Sequence, residues 1–186
     1  MKDLSKLPDN LPVPIDDGAC DHLLGAQIPS MFLEATNGER INLGKLPGVV
    51  VIYFYPMIGR PDSPPLLGWN EIPGARGCTP QSCAFRDSFS ALSELGAQVF
   101  GVSAQPLEDQ QEAQTRLHLP FQLLNDSSLS LAGQMCLPTF EYKNLKLIKR
   151  VTLIAKDGVI KKVFYPVFPT NSDAGNVIQW LSLVGA

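Results

Sequence analysis

An α/β fold, a mixed β-sheet with helices on both faces, is the class this sequence predicts, and three observations predict it. Two apolar runs, Gly48 to Pro56 and Gln98 to Ala104, are continuous, β-branched and aromatic. That composition suits strands buried on both faces. Segments of helical period accompany them: Phe85, Phe89, Leu92 and Leu95 before the second run, and Leu107 to Leu117 after it. Late in the chain, Arg150 to Ala155 and Val159 to Val167 flank the turn Lys156-Asp157-Gly158, a hairpin signal that makes the sheet mixed. A chain of 186 residues is long enough for one domain with a full core and short for two.

Each element has its own justification. Residues 1–28 are polar and proline-dotted and read as an N-terminal arm, leaving 29–186 as a single domain. Phe32 to Leu43 is a hairpin signal, two short alternating runs joined at Asn37-Gly38. Residues 57–76 carry Pro61, Pro64, Pro65 and Pro73 with little periodicity, so they read as a long inserted loop, held to the body by Trp69. The helix that follows tolerates Pro80 in its first turn and stops at Gly96. A short strand near Phe121 to Leu124, a helix over Leu129 to Cys136 and a final helix from about Asp173 to Leu183 complete the order, with no internal repeat or linker. The loop after the first central strand leads to two cysteines, and open α/β sheets place their sites at that end of the strands. The architecture is thioredoxin-like.

Bulk properties exclude several functions. A formal charge of −3 argues against a general nucleic-acid binder. The longest apolar run, Val49 to Tyr55, is too short to span a bilayer, and Met1-Lys2-Asp3-Leu4-Ser5 lacks a secretory pattern. A cytoplasmic protein with no membrane association is the expectation. In a reducing compartment the four cysteines do not form a structural disulfide framework. Cys20 and Cys136 read as packed hydrophobes. His22 and His118 offer no ligand spacing with the cysteines, so no metal is expected, and both read as surface or cap residues. The basic residues Lys143, Lys146, Lys149, Arg150, Lys156, Lys161 and Lys162 read most simply as a solvated face.

Chemistry concentrates in Gly77-Cys78-Thr79-Pro80-Gln81-Ser82-Cys83-Ala84-Phe85-Arg86-Asp87, where a glycine-rich loop enters a helix. A thiol at a helix start faces unpaired N–H groups and the positive end of the macrodipole, which favour the reactive thiolate. A second thiol five residues on can capture an oxidised first one. On an unbroken helix that spacing separates Cα atoms by roughly 8–9 Å, beyond the about 4.4–6.8 Å a disulfide spans. If both cysteines are helical, bonding needs local unwinding; if Thr79 is the N-cap, the movement is smaller.

Five blocks carry a family resemblance: Val51 to Pro56, Gly77 to Asp87, Gln98 to Ser103, Leu119 to Asp126, and Arg150 to Gly158. In this order, from about residue 25 to the C-terminus, the chain resembles the Q-type, or bacterioferritin-comigratory-protein, peroxiredoxins. The resemblance implies a thiol peroxidase that needs no cofactor and reduces hydrogen peroxide and organic hydroperoxides. It implies that Cys78 is the peroxidatic cysteine and Cys83 the resolving one, joined in an intramolecular disulfide that thioredoxin or a similar dithiol protein reduces. It further implies that Arg150 holds thiolate and peroxide, that Pro56 shields the thiolate from water, and that Gly77 and Thr79 border the peroxide. A monomer or weak homodimer is expected. Two departures stand out: position 75, where the family carries a threonine or serine, is alanine, and the insertion 57–76 separates Pro56 from Cys78. Ser63 and Thr79 are the candidate replacement hydroxyls. A thiol–disulfide oxidoreductase and a non-enzymatic redox-sensing module remain the alternative readings of the same pair.

Overall fold

The computed structural model describes residues 7–63 and 66–185. The start of the N-terminal arm and Pro64-Pro65 of the inserted loop lie outside the described residues. The elements run β1 (Leu33–Ala35), β2 (Arg40–Ile41), β3 (Val49–Phe54), α1 (Cys78–Asp87), α2 (Phe89–Glu94), β4 (Ala97–Ser103), α3 (Leu107–Leu117) and β5 (Gln122–Asn125). There follow α4 (Ser130–Gln134), β6 (Thr139–Tyr142), β7 (Leu145–Ile148), β8 (Val151–Lys156), β9 (Val159–Phe164) and α5 (Asp173–Val184). A seven-stranded sheet has the order β2-β1-β5-β4-β3-β8-β9. It is parallel at β3–β4 and β4–β5 and antiparallel at the other pairings, so it is the mixed sheet of a thioredoxin-like α/β fold.

β3 lies at the centre with every residue buried, as its unbroken apolar run requires. Alternation divides the core. Val50, Ile52 and Phe54 point to one face, where they meet Leu131 and Ala132 of α4 and Cys20, Leu23 and Ile28 of the N-terminal segment. Val49, Val51 and Tyr53 point to the other, against Phe85, Leu92, Leu117 and Val177 from α1, α2, α3 and α5. The Tyr53 ring stacks on Phe85 with centroids 4.6 Å apart and passes over Gly101. A β-carbon at position 101 would stand 2.6 Å from that ring, so the strand is narrowed to glycine there.

Four local readings change. The helix expected as far as Leu95 breaks at Ser88 into α1 and α2. The stretch before Lys149 forms a separate ribbon of β6 and β7. Cys136, expected to be packed, is exposed: it follows α4 with a positive φ of 49°, turning its thiol outward between the buried Met135 and Leu137. Arg150, grouped with a solvated basic face, is buried instead. Residues 20–28 of the arm are joined to the body by a 3₁₀ turn and a bridge from Gln27 to Val159. His118 ends α3 in the left-handed conformation, and His22 is exposed with Nε2 2.9 Å from the Met135 carbonyl. Among the described residues, no helix is long and apolar enough to cross a membrane.

Candidate active site

Gly77, with φ 113°, is the N-cap of α1, and Cys78 is its first helical residue. Only glycine suits position 77, because a β-carbon would stand 2.3 Å from Thr170 Oγ1 as well as straining the backbone. The open question about Thr79 is thereby decided: it is the second helical residue, and both Cys78 and Cys83 lie within α1. Their thiols are free, Cys78 buried and Cys83 half-buried. Burial pushes the Cys83 thiol up from its ordinary value, against the opposing pull of Arg86.

Arg150, at the entrance to β8, closes over the first thiol. Its Nη2 donates to Cys78 Sγ at 3.2 Å, and also reaches the carbonyls of Gly74 at 3.2 Å and Ala75 at 3.3 Å. The Cys78 thiol itself points to the Ala75 carbonyl at 3.7 Å. Position 75 therefore presents a backbone acceptor to the arginine and thiol, and its methyl side chain is fully buried. On its other side the guanidinium donates from Nη1 to Gln81 Oε1 in a close contact. Gln81 Nε2 in turn donates to Asp173 Oδ2 at 2.6 Å, as does the Thr152 hydroxyl at 2.7 Å.

Beside Cys78 lies a cavity of about 260 Å³. Gly77, Cys78 and Thr79 form its floor, and the inserted segment supplies Met57, Ile58 and Trp69 to its walls. Both candidate hydroxyls, Ser63 and Thr79, border it, but Ser63 is exposed whereas Thr79 is buried at the thiol. Pro56, two residues beyond β3, is buried, its carbonyl accepts from Ser103 Oγ, and it is not among the cavity walls. Met57 and Ile58, the two residues after Pro56, do line the cavity.

The insertion is fixed at both ends. The Gln105 side chain clasps Ile58, accepting from its N–H at 2.7 Å and donating to its carbonyl at 3.1 Å. Arg116 donates to the Gly59 carbonyl at 3.0 Å, and Arg60 pairs with Asp109 at 3.2 Å. Further along, Trp69 packs edge-on against Tyr142 and beside Phe140, and the Tyr142 hydroxyl donates to the Leu67 carbonyl at 2.8 Å. The unforeseen ribbon of β6 and β7 is thus the support of the inserted loop.

Sequence reasoning named Cys78, Cys83, Arg150, Pro56, Gly77 and Thr79; the fold brings Arg150, Gly77 and Thr79 to Cys78, while Cys83 lies further along α1 against the apolar core and Pro56 follows β3. It missed Gln81 and Asp173. A signal for Gln81 was present, since position i+3 from Cys78 shares its helix face. Asp173 offered none, because Thr170-Asn171-Ser172-Asp173 before an apolar helix reads as an ordinary cap. Among the described residues, no group of three or more His, Cys, Asp or Glu is placed to hold a metal ion.

Comparison with known proteins agrees with this architecture. The Redoxin family profile matches residues 23–178. A putative peroxiredoxin bcp of Coxiella burnetii is 33% identical over 146 residues, covering 76% of this chain and 87% of that protein. The chloroplastic peroxiredoxin Q of rice (Oryza sativa subsp. japonica) is 28% identical over 158 residues, which are 84% of this chain and 65% of the rice protein, so the chain spans a little under two thirds of that relative. The crystal structure of peroxidoxin BcpB from Mycobacterium tuberculosis superposes with a TM-score of 0.72 at 22% identity, covering 88% of this chain and 98% of that one, a likeness of fold. The chain belongs to the redoxin family, as a peroxiredoxin of the Q type.

Proposed function

We propose that the protein is a thiol peroxidase acting on hydrogen peroxide and organic hydroperoxides. The observation that carries this reading is the Arg150 guanidinium held 3.2 Å from the sulfur of Cys78, a residue that lines a cavity. The Cys78 thiolate attacks the terminal oxygen of the hydroperoxide, the O–O bond breaks, and the departing alkoxide or hydroxide is protonated to alcohol or water. Cys78 is left as a sulfenic acid. A fixed guanidinium donor near the sulfur can stabilise charge developing on the departing oxygen. The Cys83 thiolate then attacks the Cys78 sulfur, expelling hydroxide that is protonated to water and forming an intramolecular disulfide. Thioredoxin or a similar dithiol protein returns both thiols by exchange, and the cycle belongs in a reducing compartment such as the cytoplasm. The cavity has room for more than hydrogen peroxide, which favours hydroperoxides with an organic group. Thr79, buried beside the thiol, is our choice for the hydroxyl that position 75 lacks.

Stopped-flow oxidation of the reduced protein by hydrogen peroxide and by an alkyl hydroperoxide tests the reading. We expect rates at least 100-fold above that of free cysteine, with Cys78→Ser abolishing the reaction and Cys83→Ser leaving the first step intact but trapping the sulfenic acid. A rate equal to that of free cysteine sinks the peroxidase reading. Turnover of disulfide substrates without a peroxide reaction would point to an oxidoreductase, and oxidation without turnover in the presence of thioredoxin and its reductase to a sensor.

A further inference from the structure

Gln81 is an amide placed between two groups of opposite hydrogen-bonding character. Arg150 carries only donors, and Asp173 Oδ2 serves as an acceptor, taking the Thr152 hydroxyl as well as the Gln81 amide. The side-chain orientation follows: Oε1 must face Arg150, and Nε2 must face Asp173. Reversal would point N–H groups at a guanidinium and oxygen at a carboxylate. All three side chains are buried, Gln81 and Asp173 completely, so water cannot stand in for either partner. Asp173 is the carboxylate nearest the arginine in this chain of bonds, one amide away.

We propose that Asp173 is a positioning residue for the reaction, acting through Gln81 to hold the Arg150 guanidinium against Cys78. Asp173 touches neither the thiol nor the cavity; its Oδ2 accepts from Gln81 and from Thr152 of β8, the strand that Arg150 enters. It therefore ties α5, α1 and β8 together behind the reactive sulfur. With Gln81 oriented, Nη1 of Arg150 is engaged and Nη2 is left turned to the sulfur and the Gly74 and Ala75 carbonyls. Without the carboxylate, the amide can rotate and the guanidinium loses its fixed direction. This inference rests on the proposed role of Cys78.

The test uses a Cys83→Ser/Cys136→Ser background, which leaves Cys78 and Cys20. Cys20 is buried, and desolvation with its acidic neighbours pushes its thiol up to about 12, so it is silent at neutral pH. Two rates are read for Cys78, oxidation by hydrogen peroxide and alkylation by iodoacetamide. Asp173→Leu and Asp173→Ser, the second too short to reach Gln81, are each expected to slow both reactions about tenfold, from the loss of one charge-assisted bond. Either suffices if the other fails to fold, as judged by thermal melting. Asp173→Asn keeps an acceptor oxygen and is expected to restore the rates to within about threefold of the parent, by the same reasoning. Gln81→Leu should match the aspartate removals, and combining it with them should cause no further loss, since one path is being cut twice. Fully multiplicative losses in the double variant, or unchanged rates in both removal variants, overturn the proposal. A parent that reacts with peroxide no faster than free cysteine, while alkylation keeps the predicted pattern, overturns the peroxidase reading and supports the positioning role.

Discussion

At position 77 a single β-carbon would both strain the backbone and strike the side chain of Thr170. Gly77 has φ 113°, and the atom it lacks would lie 2.3 Å from Thr170 Oγ1 and 2.8 Å from Thr170 Cγ2. Both are fixed parts of a short branched side chain on the turn that precedes α5. Gly77→Ala is expected to cost about 3 kcal/mol, from backbone strain of about 1–3 kcal/mol and overpacking of similar size. Thr170→Gly removes the clash but not the strain, so combining the two should recover part of the loss. Urea unfolding of the four proteins measures this, and an additive double variant would show that the contact is not what restricts position 77. The same residue scale explains the difference between the cysteines. Cys78 is held in the first turn of a helix under an arginine, Cys83 faces the packed side of that helix, Cys20 is a core atom, and Cys136 is turned outward by one left-handed backbone residue.

Among the elements, the arm before β1 is secured by a charged contact that acid should release. Asp17 accepts from Lys149 Nζ at 3.0 Å and from the Tyr165 hydroxyl at 2.8 Å. These partners, Lys149 foremost, hold its carboxyl at about 2, below the ordinary 3.8. A carboxyl lowered by folding stabilises the folded form above the ordinary value and loses that contribution as pH falls towards the lowered one. Protection of the Ala19 amide, which donates to Asp17 Oδ1 at 3.2 Å, should therefore be steady above pH 5 and weaken between about pH 4 and 2, an effect absent in Asp17→Asn. Hydrogen exchange followed by mass spectrometry reads it; pH-independent protection over that interval would show that apolar contacts alone hold the arm. Elements of this kind are hard to read from sequence, because a tether across distant residues leaves no local period. The sheet was legible, since Val49 to Phe54 and Ala97 to Ser103 declare burial on both faces by composition alone. The ribbon of β6 and β7 was not: its four-residue strands carry mixed charge, and what stabilises them is contact with Trp69 from a distant loop. The cysteine pair was legible from its loop-to-helix setting, whereas the place of Arg150 became visible only through resemblance, because an arginine at a strand entrance ordinarily reads as solvated.

For the whole molecule, oxidation of the cysteine pair has consequences beyond the bond itself. Cys78 and Cys83 occupy one continuous helix, where five-residue spacing leaves Cα atoms about 8–9 Å apart, outside disulfide range. Forming the bond must unwind the first turns of α1, and those turns carry Gln81 and Ser82. Three buried contacts go with them: Gln81 to Arg150, Gln81 to Asp173, and Ser82 to the Tyr53 hydroxyl. At ~1–2 kcal/mol each these amount to about 4 kcal/mol, while closing so short a loop returns about 2 kcal/mol. The oxidised protein should therefore be less stable by about 2 kcal/mol and melt about 4–8 °C lower. The loss should also have a shape. Asp173 begins α5 and Thr170 packs on Gly77, so amides in 170–177 should lose protection together with those in 78–83, although the two segments are distant in sequence. β3, β4 and β8, buried on both faces, should be unchanged. Hydrogen exchange on the reduced and peroxide-treated protein measures all three regions at once. Loss confined to 78–83 would mean that α5 holds its place without α1, and unchanged protection in 78–83 would mean that the disulfide forms without unwinding, against the helix geometry.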